Sequence, residues 1–342
     1  MHKEVTIYDI AEKLSISAST VSRALNANSL VNEKTQQKII AMATSMGYRS
    51  NTFAANLRMQ RSNTIGLIVP RLNSYFMSEV ISGIESVTND AGYNLIISQS
   101  MENVEKEISN LKTMFNNRVD GLLVSVAAGS NGITGFDIFK DRKIPVLFFD
   151  RAPNGLTVPS VTIDNENAAF LITQHLIEMG AKNLFHITGH QSVSVYKERT
   201  TGFKKALLAA GLAFNENQLI VTDLSEKAGI TAAKLIAELK GDGVFAANDS
   251  CAATCMNELK SQGFKMPQDV KFAGFNNDLI SRNIDPALTT INYPGFEMGK
   301  VIAAKLLDHL SNKLDMNASP LITMKSELVI RASSMSPNVI AS

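Results

Sequence analysis

Between Thr6 and Gly47, apolar side chains recur three and four residues apart in three short runs. Ile7, Ile10, Ala11 and Leu14 share one helical face behind Thr6, and Asp9, three residues after Thr6, comes close to completing a capping box. Leu14-Ser15-Ile16 reads as a tight turn. A second helix, Ala18 to Leu25, is capped by Ser17, buries Val21, Ala24 and Leu25, and turns Ser19, Ser22 and Arg23 outward. A third, capped by Asn32 and stopped by Gly47, places Ile39, Ile40, Ala43 and Met46 inward. Periodicity alone leaves two readings open, a helix-turn-helix and an ordinary three-helix bundle. The small polar residues on the outer face of the second helix favour the first, because a merely solvated face carries Glu and Lys for their helix propensity.

From Ile65 the pattern changes. Ile65-Gly66-Leu67-Ile68-Val69 is a buried strand, and a helix with Val80, Ile81, Ile84 and Val87 inward follows it. Further strands fall at Tyr93–Ser98, Gly121–Ser125 and Val146–Phe149, with helical segments between them. The alternation restarts after Val161-Thr162-Ile163, with strands at Leu184–Thr188, Leu219–Val221, Gly243–Ala246 and Lys271–Phe275. Strands alternating with helices predict parallel sheets covered on both faces, here as two lobes in series. Ligands of such sheets bind beyond the carboxyl ends of the strands, and in a two-lobed body those ends can face each other across a cleft. The strand-end residues are therefore the candidates for ligand contact: Asn73, Tyr75, Phe76, Asp150, Arg151, Asn248, Asp249 and Asn276, joined by Arg199 in KERTTGF. Amides, carboxylates, Arg and an aromatic face are what a sugar or similar polar ligand needs. Each also has a plainer use, as a cap, an Asx turn, an ion pair with Glu198 or, for Phe76, core.

With 342 residues, two or three domains are expected, and 45% hydrophobic with 19% charged residues is the composition of a globular protein. The net charge of +1 says little, but residues 1–61 carry eight basic and four acidic side chains, which leaves the rest at −3. A basic head on a slightly acidic body suits phosphate attraction by the head alone. Met1 to Asp9 lack the apolar run of a secretory signal, and no membrane-length apolar stretch occurs. A cytoplasmic, nucleoid-associated protein is expected. Cys251 and Cys255 agree with a reducing compartment and read as small core residues.

VTIYDIAEKLSISASTVSRALN followed by VNEKTQQKIIAMATSMGYRSN resembles the head of the lactose/galactose-repressor family at almost every position from Val5 to Asn51. The resemblance implies that Ala18, Ser19 and Arg23 face base edges, and that Thr6, Tyr8, Ser17, Thr20, Ser22 and Thr35 lie near phosphates. Asn26, Asn51 and Ala54 complete the implied DNA contacts. Ser15 stands where the family usually has Gly, so a left-handed turn there costs about 1 kcal/mol more. The stretch from Asn51 to Arg58 is too short for a stable lone helix. In the family it is a hinge helix that orders on DNA, where Leu57 would wedge into the minor groove.

The resemblance, shared with periplasmic sugar-binding proteins, continues through LLVSVA, VLFFDR, VTIDN, RTTGF, AANDS, VKFAGFNND and PALTTINYP in order. It implies effector contact by Arg199 and Asn248, with Asp249 starting the helix beside them. Asn276 stands where Asp is usual, and Met77 where a second aromatic is common, so the ligand need not be a plain hexose. The implied chain crossings lie near Val161, Asn292 and Ser319–Thr323. The expected fold is thus an N-terminal all-α helix-turn-helix head plus an α/β periplasmic-binding-protein-like body of two parallel-sheet lobes. Its parts are 1–49 (DNA-binding), 50–62 (hinge helix and linker), 63–161 with 293–321 (first lobe, dimerising) and 162–292 with 322–342 (second lobe).

No G-x-x-x-x-G-K, G-x-S-x-G elbow or zinc-spaced His pair occurs, so neither catalysis nor a cofactor or metal is expected. His186 and His190 flank Thr188-Gly189; one of them in the cleft is the functional reading, structural histidines the plainer one. The expected function is a ligand-responsive repressor that binds double-stranded, palindromic operator DNA as a homodimer, with a sugar-like small-molecule effector and no membrane. Two alternatives stand: a sugar-binding protein serving transport, which would lack the head, and a regulator that answers to a partner protein. After Ile330 there is no sustained heptad repeat, which favours a dimer over a tetramer.

Overall fold

The computed structural model describes residues 5–25, 31–48, 62–130, 135–153, 158–311 and 321–335. The chain divides into two compact units, Met1–Ser62 and Asn63–Ser342.

In the first unit, α1 (Ile7–Leu14) opens on a complete capping box: Asp9 N–H donates to Thr6 Oγ1, and Thr6 N–H donates to the Asp9 carboxylate. It ends at Ser15, whose backbone is left-handed (φ 52°, ψ 44°) while its N–H donates to the Ala11 and Glu12 carbonyls. A residue with a Cβ pays for that conformation and glycine does not. Ser15→Gly should therefore stabilise the head by about 1 kcal/mol, read as slower hydrogen exchange of the α1 and α2 amides in the full chain. Unchanged exchange would show that the turn carries no such strain. α2 (Ala18–Leu25) and α3 (Glu33–Ser45) close the bundle around Ile10, Val21, Ala24, Ile39 and Ala43. Gln36 Nε2 donates to the Ala24 carbonyl at 3.1 Å and ties α3 to the end of α2. Gly47 (φ +68°) ends α3, with Tyr48 N–H reaching back to the Ala43 carbonyl. One inward assignment is corrected: Ile40 is 47% exposed. It lies about 100° around the helix from Ile39, and Met42 takes the inward place instead.

The second unit begins with β1 (Thr64–Val69), α4 (Tyr75–Asp90), β2 (Asn94–Gln99), α5 (Val104–Asn116), β3 (Gly121–Val124), α6 (Asp137–Asp141), β4 (Val146–Phe149) and β5 (Ser160–Ile163). α7 (Asn165–Glu178), β6 (Leu184–Thr188), α8 (Ser194–Ala209), β7 (Leu219–Val221), α9 (Glu226–Glu238), β8 (Gly243–Ala246), α10 (Asp249–Ser261) and β9 (Lys271–Ala273) build the second lobe. The chain then runs through α11 (Leu279–Asn283), β10 (Thr290–Asn292), α12 (Gly295–Leu310), β11 (Leu321–Met324) and β12 (Glu327–Val329).

The first sheet has the order β11-β5-β4-β3-β1-β2 and is parallel throughout. β1 shows why its sequence is apolar without alternation. Ile65, Leu67 and Val69 meet α4 and α12 on one face, and Ile68 meets Leu111, Met114 and Phe139 on the other. The second sheet, β7-β6-β8-β9, is also parallel, and β10 pairs antiparallel with β12. Cys251 and Cys255 are free and buried in its core, where burial pushes the Cys251 thiol up to about 12.

The chain leaves the first sheet after Ile163, returns through Tyr293, and leaves again after Met324. Thr162–Ile163 and Ile322–Met324 thus belong to the first-lobe sheet, two strand ends that the sequence reading placed in the second lobe. Strands β10, β11 and β12 are three or four residues long, and the sequence pattern assigned none of them. Phe76 stacks on Tyr293 (4.2 Å), Tyr293 meets Phe275 edge-on (6.2 Å) and Phe275 lies 6.3 Å from Phe245, a column of rings that joins the lobes.

Candidate functional site

Two surfaces answer to the residues singled out in the sequence. On the head, Ser17 caps α2 by accepting from Thr20 N–H at 3.2 Å, and its hydroxyl lies 2.8 Å from those of both Ser19 and Thr20. Tyr8 is 69% exposed. Thr6, Ser17, Ser19 and Arg23 are also exposed, while Thr20, Ser22 and Thr35 are half-buried. Ala18 is half-buried against the head core. Ser19 and Arg23, four apart, share the outward face of α2. Asn26, Asn51, Ala54 and Leu57 lie outside the described residues, as does the hinge up to Arg61.

The second surface is a cavity of about 510 Å³ between the lobes, at the carboxyl ends of both sheets. Asn73, Tyr75, Phe76, Asp150, Arg151, Arg199, Asn248 and Asn276 all line it, and so does Met77. Asp150 (φ 57°) and Asn276 (φ 109°) turn the chain sharply where it leaves the strands. Such a backbone costs of order 1 kcal/mol or more at a residue with a Cβ, and it clusters at functional sites.

Asp249 is the exception. It is fully buried and does not line the cavity. Its carboxylate accepts from Thr290 Oγ1 and Asp278 N–H, both at 2.7 Å, so it fastens two loops beneath the cleft and is not available to a ligand. Burial, then the neighbouring Asp278, hold its carboxyl well above the usual carboxylate range. Asn248 lines the cleft but also caps α10, accepting from Cys251 N–H at 2.7 Å. His186 is buried, stacked on Phe245 and Phe203, and burial pushes its pKa down to about 3. His190 is exposed, with Nδ1 2.8 Å from the Ser192 hydroxyl. Neither histidine lines the cavity.

Two arginines dominate the cleft. Arg151, from the first lobe, donates through Nη1 to both Glu102 oxygens at 3.0 Å and through Nη2 to the Tyr196 hydroxyl of the second lobe at 3.1 Å. Burial works against its charge, but Tyr196, Glu102 and Asp150 more than offset this and hold its pKa above the ordinary arginine value. Its Nε is buried without a hydrogen-bond partner. Arg199 lies with its guanidinium 3.6 Å from the centre of the Phe275 ring, Nε donating to Asn165 Oδ1 at 3.0 Å and Nη1 to the Ala247 carbonyl at 2.9 Å. Asp150 accepts from the Tyr293 hydroxyl at 3.0 Å. The cleft is thus a rigid polar cage with aromatic walls, suited to hold a small molecule rich in hydrogen-bonding groups.

Sequence reading missed Glu102, Tyr196, Asp223 to Lys227, Asp278 and Tyr293, all of which line the cavity. Tyr196 had a signal, since it precedes Arg199 by three residues on α8 and shares its face. Tyr293 had none beyond its place in PALTTINYP.

A model of the bacterial regulatory proteins of the lacI family matches residues 6–51, and a model of the periplasmic binding protein-like domain matches residues 173–334. Catabolite control protein A of Priestia megaterium is 31% identical over 318 residues, covering 92% of this chain and 95% of that protein. The lac repressor dimer bound to operator and the anti-inducer ONPF has the same fold, with a TM-score of 0.87 at 22% identity, covering 98% of this chain and 100% of that one. A periplasmic binding protein/LacI transcriptional regulator from Alkaliphilus metalliredigens QYMF, complexed with D-xylulofuranose, matches with a TM-score of 0.69 at 27% identity, covering 80% of this chain and 100% of that one.

Proposed function

This chain belongs to the lacI family of bacterial regulatory proteins and is a transcription regulator of that family; from that premise we propose that it is a repressor that grips an inverted-repeat operator as a homodimer and answers to a small polar effector in the interlobe cleft. The observation that carries the reading is the presence in one chain of an outward, polar α2 face and a two-lobed body with a cavity lined by buried arginines. In this reading residues 1–49 bind DNA, 50–62 form the hinge helix and linker, and the body senses the effector. Leu57 of each hinge wedges into the central minor groove.

A dimer has a surface to bury on the first lobe. Ile97 points outward from edge strand β2, and Leu72 and Met101 are exposed nearby, with Leu72 N–H donating to Gln99 at the end of that strand. Effector closure of the cleft then changes the relation of the two heads, and the shift in DNA affinity equals the effector's differential affinity for the two states. A sugar or a similar polyhydroxyl compound suits the cleft, and a related regulator holds D-xylulofuranose. The protein acts in the cytoplasm on the nucleoid and catalyses no reaction. Among the described residues no helix is long and apolar enough to cross a membrane.

Full-length protein incubated at low salt with a genomic fragment library should enrich an inverted repeat, and metabolites that raise its melting temperature should change that enrichment. No site preference, with or without metabolites, would end the reading. Arg23→Ala should weaken operator binding by about 1–3 kcal/mol, the worth of a bidentate base contact, and leave binding to random DNA nearly unchanged. Equal losses on both, in gel-shift titrations, would make Arg23 a phosphate contact.

A further inference from the structure

We propose that Asp278 binds a protonated amine of the effector, so that the cleft selects an amine-bearing polar ligand, of which an amino sugar is the simplest kind. The inference rests on reading the cleft as the effector site.

Asp278 is only 6% exposed, yet it lines the cavity, and its Oδ1 is buried without a hydrogen-bond partner. The plain structural use of an Asp at this position is not taken up. It stands at the N-cap of α11, but its side chain makes no capping hydrogen bond there. Its main-chain N–H is committed to Asp249 Oδ2 at 2.7 Å, which brings a second carboxylate close behind it. No ion pair joins Asp278 to a cation among the described residues, whereas Glu102 and Asp150 are both matched by Arg151, at 3.0 and 3.7 Å.

A carboxylate with one buried oxygen left unpaired is costly to keep charged, and a ligand that supplies both a hydrogen bond and a positive charge relieves that cost. A neutral hydroxyl supplies only the first. Arg199 offers the complementary half of the site. It makes no ion pair among the described residues, and its Nη2 keeps its donors for oxygen atoms of the same ligand. Asp278 and Arg199 are thus the buried charges of the cleft that no ion pair matches among the described residues, a pattern that fits a ligand carrying an amine and several hydroxyl or carbonyl oxygens. Burial, partly offset by a hydrogen bond from the Asn276 side chain, pushes the Asp278 carboxyl up to about 6. It is ionised at pH 7 and loses its charge as the pH falls through that value.

D-Glucosamine, D-glucose and N-acetyl-D-glucosamine form a matched set in which only the first carries a charged amine. Calorimetric titration of the full-length protein at pH 7 should show glucosamine binding at least about tenfold more tightly than the other two, the scale of one hydrogen bond to a charged group. The preference should vanish in Asp278→Asn, and in the unaltered protein at pH 5. The pH arm needs no variant and so holds even if the substitution disturbs folding. Equal affinity for the three sugars, abolished by Arg199→Ala, would overturn the amine contact while leaving the cleft as an effector site. Failure of glucosamine to bind at all would overturn the amino-sugar assignment outright.

Discussion

Arg199→Ala should abolish the response of DNA binding to effector while leaving operator affinity in the absence of effector unchanged. Arg199 is 3% exposed, and its guanidinium is fixed on three sides, by the Phe275 ring, by Asn165 Oδ1 and by the Ala247 carbonyl. That fixation removes the entropy a free arginine would lose on binding, so its remaining N–H groups act at full strength on a ligand. Burial pulls its pKa below the ordinary arginine value, opposed by Tyr196, Asp150 and Tyr293. Truncation removes the charge and also strands the Asn165 and Ala247 oxygens. Effector affinity should fall at least about a hundredfold, roughly 2.7 kcal/mol. Titration of effector into the variant bound to operator reads the loss directly. An intact effector response would remove Arg199 from the site, and a protein that no longer folds would make its role structural.

Gly83→Ala should be among the most destabilising single methyls in the body. α4 and α12 approach backbone to backbone there: a Cβ on Gly83 would fall 2.0 Å from the Phe296 carbonyl oxygen, and one on Gly299 would fall 2.1 Å from that of Val80. A flexible side chain can swing aside, but a helical carbonyl cannot. The helices must separate, loosening Val80, Ile84, Met298 and Ile302 in the first-lobe core. The expected cost is about 3 kcal/mol, the top of the range for overpacked sites, read as a lower denaturant midpoint. Because α12 starts just after Tyr293, which donates to Asp150 in the cleft, effector affinity should fall as well. An unchanged midpoint would mean that the two helices are not held at this crossing.

Local patterns carried much of this architecture. Thr6 and Asp9 announced the capping box that starts α1, and unbroken apolar runs announced β1 and β4 with both faces covered. Arg199 and the residues after β1, β4 and β8 were legible as cleft candidates because ligands of parallel sheets sit at those ends. Ile40 misled because an apolar residue beside a helical stripe looks like part of it, and a turn of about 100° places it in water. Asp249 misled for a different reason. An acid after a strand invites a ligand, but its partners Asp278 and Thr290 stand 29 and 41 residues further on.

The order of elements, the faces they bury, their caps and the family were determined by the sequence alone, because periodicity and capping involve residues within a turn or two of one another. Which polar groups were consumed by the protein and which were left for a ligand was decided only by the tertiary structure. Asp249 was satisfied and Asp278 Oδ1 was not, Arg151 was clasped by Glu102 and Tyr196, and Tyr293 was brought 143 positions back to Asp150. A hydrogen bond forms between groups that packing brings together, and their separation along the chain carries no trace of it.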